Sequence, residues 1–406
     1  MHPVRVVALA LTTLLLISLS FAAGVVTAWT FPPPARAAQL GPLAGLAGDP
    51  LRLAPFNEVV NIVRRDFYER GKLDQQELAY GAIRGLLSTL NDPFTFHAPK
   101  RHAEMLEEDL KGSFDGIGAY VEMRDGQLTI VSPRAGSPAA RAGLRPGDQI
   151  VSINGRPTEG LSLADAVALI RGPRGTVVRL TVRRPGVSEP LEFAVERAEI
   201  RQELVTWQML DGQIAYLRLW NFGQVMSQLN EAVSAIAAAK PRGIVLDVRN
   251  NGGGYLPTAI DVASLFLPRD SIILWQDSGA GQPQALRSTR DGSLQGIPLV
   301  VLVNHGSASA SEIVAGALQD HQRATVVGER TFGKGSVQNV YQLSDGSSLR
   351  LTIARWLTPN QREINKVGIA PDIEQAGPER LTEIEPNPAA DPQLQRALEI
   401  LAGQRP

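Results

Sequence analysis

The stretch GIVLDVRNNGGGYLPTAIDVASLFL, residues 243–267, sets the class of fold. Residues 243–248 read as a strand rich in Ile, Val and Leu. Gly252-Gly253-Gly254 is a loop, and residues 257–267 read as a helix. The alternation continues on both sides. Residues 214–219 predict a strand and 224–239 a helix; 299–303 predict a buried strand, 311–319 a helix and 324–327 a strand. This order predicts an α/β layer whose sheet is at least partly parallel.

Upstream the pattern differs. Residues 56–68 and 100–110 carry helical spacing. Asp74 with Glu77 three residues on reads as a capping box opening a helix that Asn91-Asp92-Pro93 stops. From Gly112 short strands and turns take over: strands at 116–121, 128–131, 149–153 and 176–182, hairpin turns at Asp125-Gly126 and Asn154-Gly155, and helices at 138–142 and 163–171. The last stretch is rich in Glu and Pro and closes with a helix at 392–402.

Composition excludes several classes. The chain has 406 residues, with 40 basic and 41 acidic side chains and a net charge of −1. No basic stripe marks a nucleic-acid partner. There is no cysteine, which removes disulfides, thiolate nucleophiles and Cys-containing zinc sites. The histidines His2, His97, His102, His305 and His321 show no H-E-x-x-H spacing. No metal and no cofactor are expected. After Arg5 no charge occurs before Arg36, and residues 6–29 are almost wholly apolar. A spanning helix needs about 20 such residues and a cleaved signal about 7–15. Ala35-Arg36-Ala37 offers a cleavage site. Residues 1–37 are read as a signal peptide or a membrane anchor; either places the remainder outside the cytoplasm.

Three places between strands and helices offer chemistry. In Asp247-Val248-Arg249-Asn250-Asn251-Gly252-Gly253-Gly254, consecutive glycines let main-chain N–H groups face a ligand, and a helix N-terminus lies behind them. A tight turn fits the same residues. In Gly306-Ser307-Ala308-Ser309-Ala310-Ser311-Glu312, three serines fall where ligands bind in α/β sheets; Ser309-x-x-Glu312 is equally a capping box. Gly328-Glu329-Arg330-Thr331-Phe332-Gly333-Lys334-Gly335 approaches a P-loop. Gly335 stands where Ser or Thr should hold magnesium, and a strand rather than a helix follows, so nucleotide binding is rejected. A serine nucleophile needs a base. Lys334 serves only if neutral, which asks for a dry pocket. Gln338 could hydrogen-bond the amine without recharging it.

The run VLVNHGSASASEIVAGALQDHQRATVVGERTFGKGSVQ, residues 301–338, together with LDVRNNGGGYL, residues 246–256, resembles the C-terminal processing peptidases, or tail-specific proteases. The resemblance implies Ser309 as nucleophile, Lys334 as general base and Gln338 as its support. It implies an oxyanion hole from Gly252, Gly253 or Gly254 with the Ala310 amide. Residues 112–185 resemble a PDZ module, with Gly116-Ile117-Gly118-Ala119 as the carboxylate-binding loop. Arg171, at the end of the PDZ helix, is implied as a regulatory residue. The implied fold is multidomain α/β plus α+β: a crotonase/ClpP-like α/β catalytic core preceded by a PDZ domain and an N-terminal helical region. The implied ranges are 1–37 signal or anchor, 38–50 linker, 51–111 helical region, 112–185 PDZ domain, 186–372 peptidase core and 373–406 tail. The partners implied are protein substrates with free C-termini, the membrane through residues 6–29, and further copies of the chain as a homodimer or larger assembly. Two competing readings are a catalytically inactive PDZ adaptor and a crotonase-like enzyme acting on acyl thioesters. The Ser/Lys pair weighs against both, and the PDZ module also against the second.

Overall fold

A computed structural model describes residues 53–134, 136–378 and 386–403. The apolar run at 6–29 and the linker lie outside them. Among the described residues no helix is long and apolar enough to cross a membrane. The chain clusters into two units that divide between Glu77 and Leu78. This division falls inside the range 51–111 read as one helical region.

The first unit holds the helix Ala54–Asp66 and a single tight turn of helix, Arg70–Lys72. The helix Gln75–Ser88 starts as the sequence indicates. Asp74 Oδ1 accepts from the N–H groups of Gln76 (2.7 Å) and Glu77 (3.1 Å), satisfying two otherwise orphaned donors.

In the second unit the core sheet follows the predicted alternation. Its strands lie in the order Val205–Leu210, Ile214–Leu219, Gly243–Asp247, Leu299–Val303, Thr325–Gly328 and Ile373–Glu374. Only the first pair is antiparallel. Side chains alternate between the two faces with the strand period. Leu217, Leu246, Val301 and Val326 meet the helices Met226–Ala239, Leu256–Ser264 and Ala310–Asp320. Tyr216, Val245, Val300 and Val327 meet the helix Pro392–Leu401 through Leu394 and Ala397. The helix Pro392–Leu401, which lies in the range read as a tail, covers the second face of the sheet. A second, antiparallel sheet flanks this layer, built from Phe96–Ala98, Ser348–Leu357, Ile272–Asp277 and Gln284–Arg287, with Ser336–Gln342 pairing Ser348–Leu357.

Residues 119–196 form an antiparallel sheet with its own core of Ile117, Leu128, Ile130, Ile150, Val178 and Leu180 among others. Both predicted hairpin turns have the left-handed pairs they require: Asp125 and Gly126 at φ 50° and 74°, Asn154 and Gly155 at 52° and 79°. Two expectations are corrected. The strand read at 116–121 is broken into Ser113–Gly116 and Ala119–Arg124, because Gly118 takes φ 70°. The sheet also runs past residue 185: Leu191–Glu196 pairs along Val177–Arg183.

Candidate active site

The three motifs converge at the C-terminal ends of the parallel strands Gly243–Asp247, Leu299–Val303 and Thr325–Gly328, where open α/β sheets place their ligands. The glycine and serine loops are stitched together. The Asn250 N–H donates to Asn304 Oδ1 and Asn304 Nδ2 donates to Asn250 Oδ1, each at 2.8 Å. The Ala308 N–H donates to the Asn251 carbonyl at 3.0 Å.

The structure separates the three serines that spacing left equivalent. Ser307 is fully buried and donates to the Val248 carbonyl (2.8 Å). Ser311 is fully buried and donates to the Asn251 carbonyl (2.7 Å). Ser309 is partly exposed and holds φ 56° and ψ −113°, a left-handed conformation costly for a side chain with a Cβ. Glu312 holds it there. This fully buried carboxylate accepts the Ser309 N–H at Oε2 (2.8 Å), as half of the predicted capping box. The same oxygen accepts the Lys334 N–H (2.9 Å), while Oε1 accepts from the Gly333 N–H (2.7 Å) and the Thr331 hydroxyl (2.6 Å). One side chain thus registers the serine turn against the lysine loop.

Lys334 is half-buried, with its ammonium 4.9 Å from the centre of the Phe94 ring. Burial lowers its pKa below the ordinary lysine value, aided by the Arg350 cation and opposed by Asp92 and Glu312. Among the described residues no hydrogen bond or ion pair holds this amine, so Lys334 stands beside the serine turn without bonding the Ser309 hydroxyl. Gln338 does not meet it either. Its Nε2 donates to Ser336 Oγ (2.7 Å) and Thr352 Oγ1 (3.1 Å). A bulge between Val337 and Gln338 re-aims that side chain by skipping Ile353 on the partner strand.

The glycines divide by role. A Cβ on Gly253 would lie 2.8 Å from Ser309 Cβ and 3.0 Å from the Ala310 nitrogen. Its N–H donates to Asn251 Oδ1 (2.9 Å), so Gly253 gives close approach rather than a ready oxyanion donor. Gly254 backs onto Phe222, whose N–H donates to the Gly253 carbonyl at 2.9 Å. A Cβ on Gly252 would meet no atom within 4 Å.

Among the described residues, His305 and His97 offer no competing centre. His305 is exposed, with Glu329 at 3.4 Å. His97 Nε2 lies 2.9 Å from Ser347 Oγ, but that serine is fully buried and donates to Asp345 (2.6 Å).

At the other sheet, the loop Gly116-Ile117-Gly118-Ala119 opens onto a groove walled by Tyr120, Val121, Arg134, Val167, Ile170 and Arg171. The Ile117 and Gly118 carbonyls are tied by the N–H groups of Ala139 (2.8 Å) and Arg134 (2.9 Å). Arg171 is not a surface charge. Its side chain is 11% exposed, stacks on Phe114 at 3.9 Å, and pairs with Asp109 (2.8 Å) and Glu108 (3.3 Å).

Comparison with known proteins identifies the family. The model of peptidase family S41 matches residues 213–375, and that of the PDZ domain matches 129–184. The carboxy-terminal processing protease CtpA of Bacillus subtilis (strain 168) is 36% identical over 335 residues, 82% of this chain and 71% of that protein. The carboxyl-terminal-processing protease of Synechocystis sp. (strain ATCC 27184 / PCC 6803 / Kazusa) is 39% identical over 348 residues, 84% and 80% of the two chains. The chain belongs to peptidase family S41. A solved photosystem II D1 C-terminal processing protease aligns with TM-score 0.51 and 31% identity, over 79% of this chain and 86% of that one.

This S41 serine peptidase carries a PDZ domain beside an α/β core, as the sequence indicated. Two features around these loops were not read from the sequence. Glu312 was legible only as a cap, since three of its four donors lie 19–22 residues away. Arg249, within the glycine motif, is buried against Asp247 (2.6 Å) and reaches Asp391 (2.7 Å) and Gln393 (2.9 Å), both 142 residues or more away. Asp247 also accepts the Tyr216 hydroxyl (2.6 Å). Burial alone would raise its pKa; the Arg249 cation holds it below the usual carboxylate range.

Proposed function

We propose that this S41 peptidase cleaves proteins near their C-termini, using Ser309 as nucleophile and Lys334 as general base, outside the cytoplasm. The carrying observation is the division among the serines. Ser307 and Ser311 are buried and bonded to main-chain carbonyls, while Ser309 is partly exposed on a strained turn against Gly253 and the Ala310 amide. A peptide entering this site draws the neutral Lys334 amine onto the Ser309 hydroxyl. The amine takes the hydroxyl proton as Oγ attacks the scissile carbonyl. The tetrahedral oxyanion is met by the Ala310 N–H and by the N–H of Gly252 or Gly254. Collapse expels the amine product, which takes the proton from Lys334, and water then releases the acyl group by the same path. Gln338 supports Lys334 once the amine has moved. The core has a crotonase/ClpP-like fold in this reading.

The loop at Gly116-Ile117-Gly118-Ala119 receives the substrate's terminal carboxylate, and the edge of strand Ala119–Arg124 receives its last residues. Small Ala119 leaves the terminal side chain room in the groove. Arg171 couples this event to the core. Its partner Asp109 lies at the end of helix Lys100–Lys111, where the Asp109 and Leu110 carbonyls accept from Asn221 Nδ2 (3.0 Å) and the Gln224 N–H (2.8 Å). Between those two residues Phe222 bonds the Gly253–Gly254 loop. The decisive experiment incubates the full chain with a peptide bearing a free C-terminus and maps products by mass spectrometry. Internal cleavage near the C-terminus, lost in Ser309→Ala, supports the reading; intact peptide or unchanged cleavage in that variant refutes it.

A further inference from the structure

A lysine can act as base only where water does not stabilise its cation. From outside its own loop, the Phe94 ring faces the Lys334 amine, with its centre at 4.9 Å. Phe94 lies outside the S41 match at 213–375. Its placement is specified from several directions. The ring meets Phe332 edge-on, with centroids 6.4 Å apart and planes at 67°. The Phe94 N–H donates to Asp92 Oδ1 (3.1 Å), and the Thr95 hydroxyl donates to Asp92 Oδ2 (2.7 Å). Thr95 Oγ1 also accepts the Thr352 N–H (3.0 Å), and Thr352 Oγ1 accepts from Gln338 (3.1 Å). The turn holding Phe94 is thereby fastened to the strands that carry the loop of Lys334. Beside it opens a cavity of about 660 Å³, walled by Phe94, Phe332, Gly333, Ser336 and Leu351.

We propose that Phe94 is a positioning residue for the Ser/Lys reaction: its ring separates the Lys334 amine from the water of this cavity and holds the amine in place. The turn Asp92–Thr95 is then part of the catalytic apparatus. This inference rests on Lys334 being the base. The charges facing the amine are Arg350, which disfavours its cation, and Asp92 and Glu312, which favour it; Arg355 and Lys366 line the cavity. Burial would raise the Asp92 pKa, but hydrogen bonds from Thr352, Thr95 and Phe94 outweigh it and lower that pKa, so a carboxylate that favours the lysine cation is present at the site.

The test is the pH dependence of kcat/KM for the full chain on a peptide with a free C-terminus, in Phe94→Ala, Phe94→Leu and Lys334→Arg. Phe94→Ala admits water, so the rising limb moves toward the ordinary lysine value. Each unit of that shift removes about tenfold of the neutral-pH rate, in kcat rather than KM, and the rate recovers at alkaline pH. Phe94→Leu stays dry but loses the attraction of the ring face for the cation, so its limb stays at or below the wild-type position. An unmoved limb in Phe94→Ala, with a uniform loss at every pH, would overturn the proposal. So would a limb in Phe94→Leu raised above wild type, a result that stands even if Phe94→Ala does not fold. If Lys334→Arg keeps turnover, the base assignment fails and this inference falls with it. If Lys334→Arg is inactive and the limb is unmoved, only the inference fails.

Discussion

Gly253 and Ser309 approach so closely that a Cβ on the glycine would sit 2.8 Å from the Cβ of the serine. Gly253 also holds φ 103°, where side chains are disfavoured. Gly253→Ala should therefore displace the serine turn and reduce peptide cleavage by about 100-fold or more, with a stability loss of about 1–3 kcal/mol. Gly252→Ala meets no such contact and should fold as well as the parent. Cleavage assays beside urea melts distinguish the two; equal activity in both variants would remove the close approach from the site.

The serines should separate in the opposite sense by stability and by rate. Ser309→Ala should abolish cleavage while leaving the urea midpoint nearly unchanged. Ser307→Ala and Ser311→Ala should retain far more activity but lose stability, because each deletes a buried hydrogen bond worth about 0.5–1.5 kcal/mol. A fully active, fully stable Ser307→Ala would contradict the structural role assigned to that hydroxyl.

Lys334 should link activity to pH and oppose folding. Its pKa is lowered in the folded chain, so the unfolded chain binds more protons between that value and the ordinary lysine value near 10.4. Stability should rise with pH across that window, and cleavage should rise through the lower edge of the same window. Lys334→Met should be inactive and, at neutral pH, more stable than the parent. A Met variant that melts earlier at neutral pH would show that the ammonium is well solvated.

Arg171 and Asn221 should act on rate rather than on tail binding. Arg171→Ala breaks the pairing with Asp109 and Glu108, and Asn221→Ala releases the Asp109 carbonyl from the core. Each variant should bind a free-acid peptide almost normally and cleave it slowly. Amidating the peptide should weaken its binding to the parent chain by about 1.5–3 kcal/mol, the worth of a charge-assisted hydrogen bond. Calorimetry paired with turnover measures both; parallel loss of binding and rate in Asn221→Ala would deny the coupling.

The alternating core was legible because its strands are short, apolar and bounded by turn residues. The strands predicted at 214–219 and 299–303 match Ile214–Leu219 and Leu299–Val303. Of the flanking sheet, only the strand after Lys334 was read, now seen as Ser336–Gln342. In Ser348–Leu357 the alternation of Leu349, Leu351 and Ile353 changes phase at Ala354, opposite the bulge at Gln338, and a period-2 pattern does not survive a phase change. Val205–Leu210 is an edge strand with exposed Trp207 and Met209, so burial left little imprint on its sequence. In the site, spacing indicated three loops but not which serine was free, because that depends on carbonyls of Val248 and Asn251, some 60 residues away. Gln338 was read as a partner of Lys334. A nearer hydroxyl, Ser336, takes its donor instead.

Asp391 completes the surroundings of Arg249 only after every strand of the core sheet has been made. On the ribosome, Ser309 and Lys334 emerge ahead of the segment that seals the far face of their sheet. Until then Tyr216, Val245, Val300 and Val327 lack their cover, and Arg249 lacks its second carboxylate. The far face of the sheet and the second carboxylate of Arg249 are thus supplied by the part of the described chain that is synthesised last.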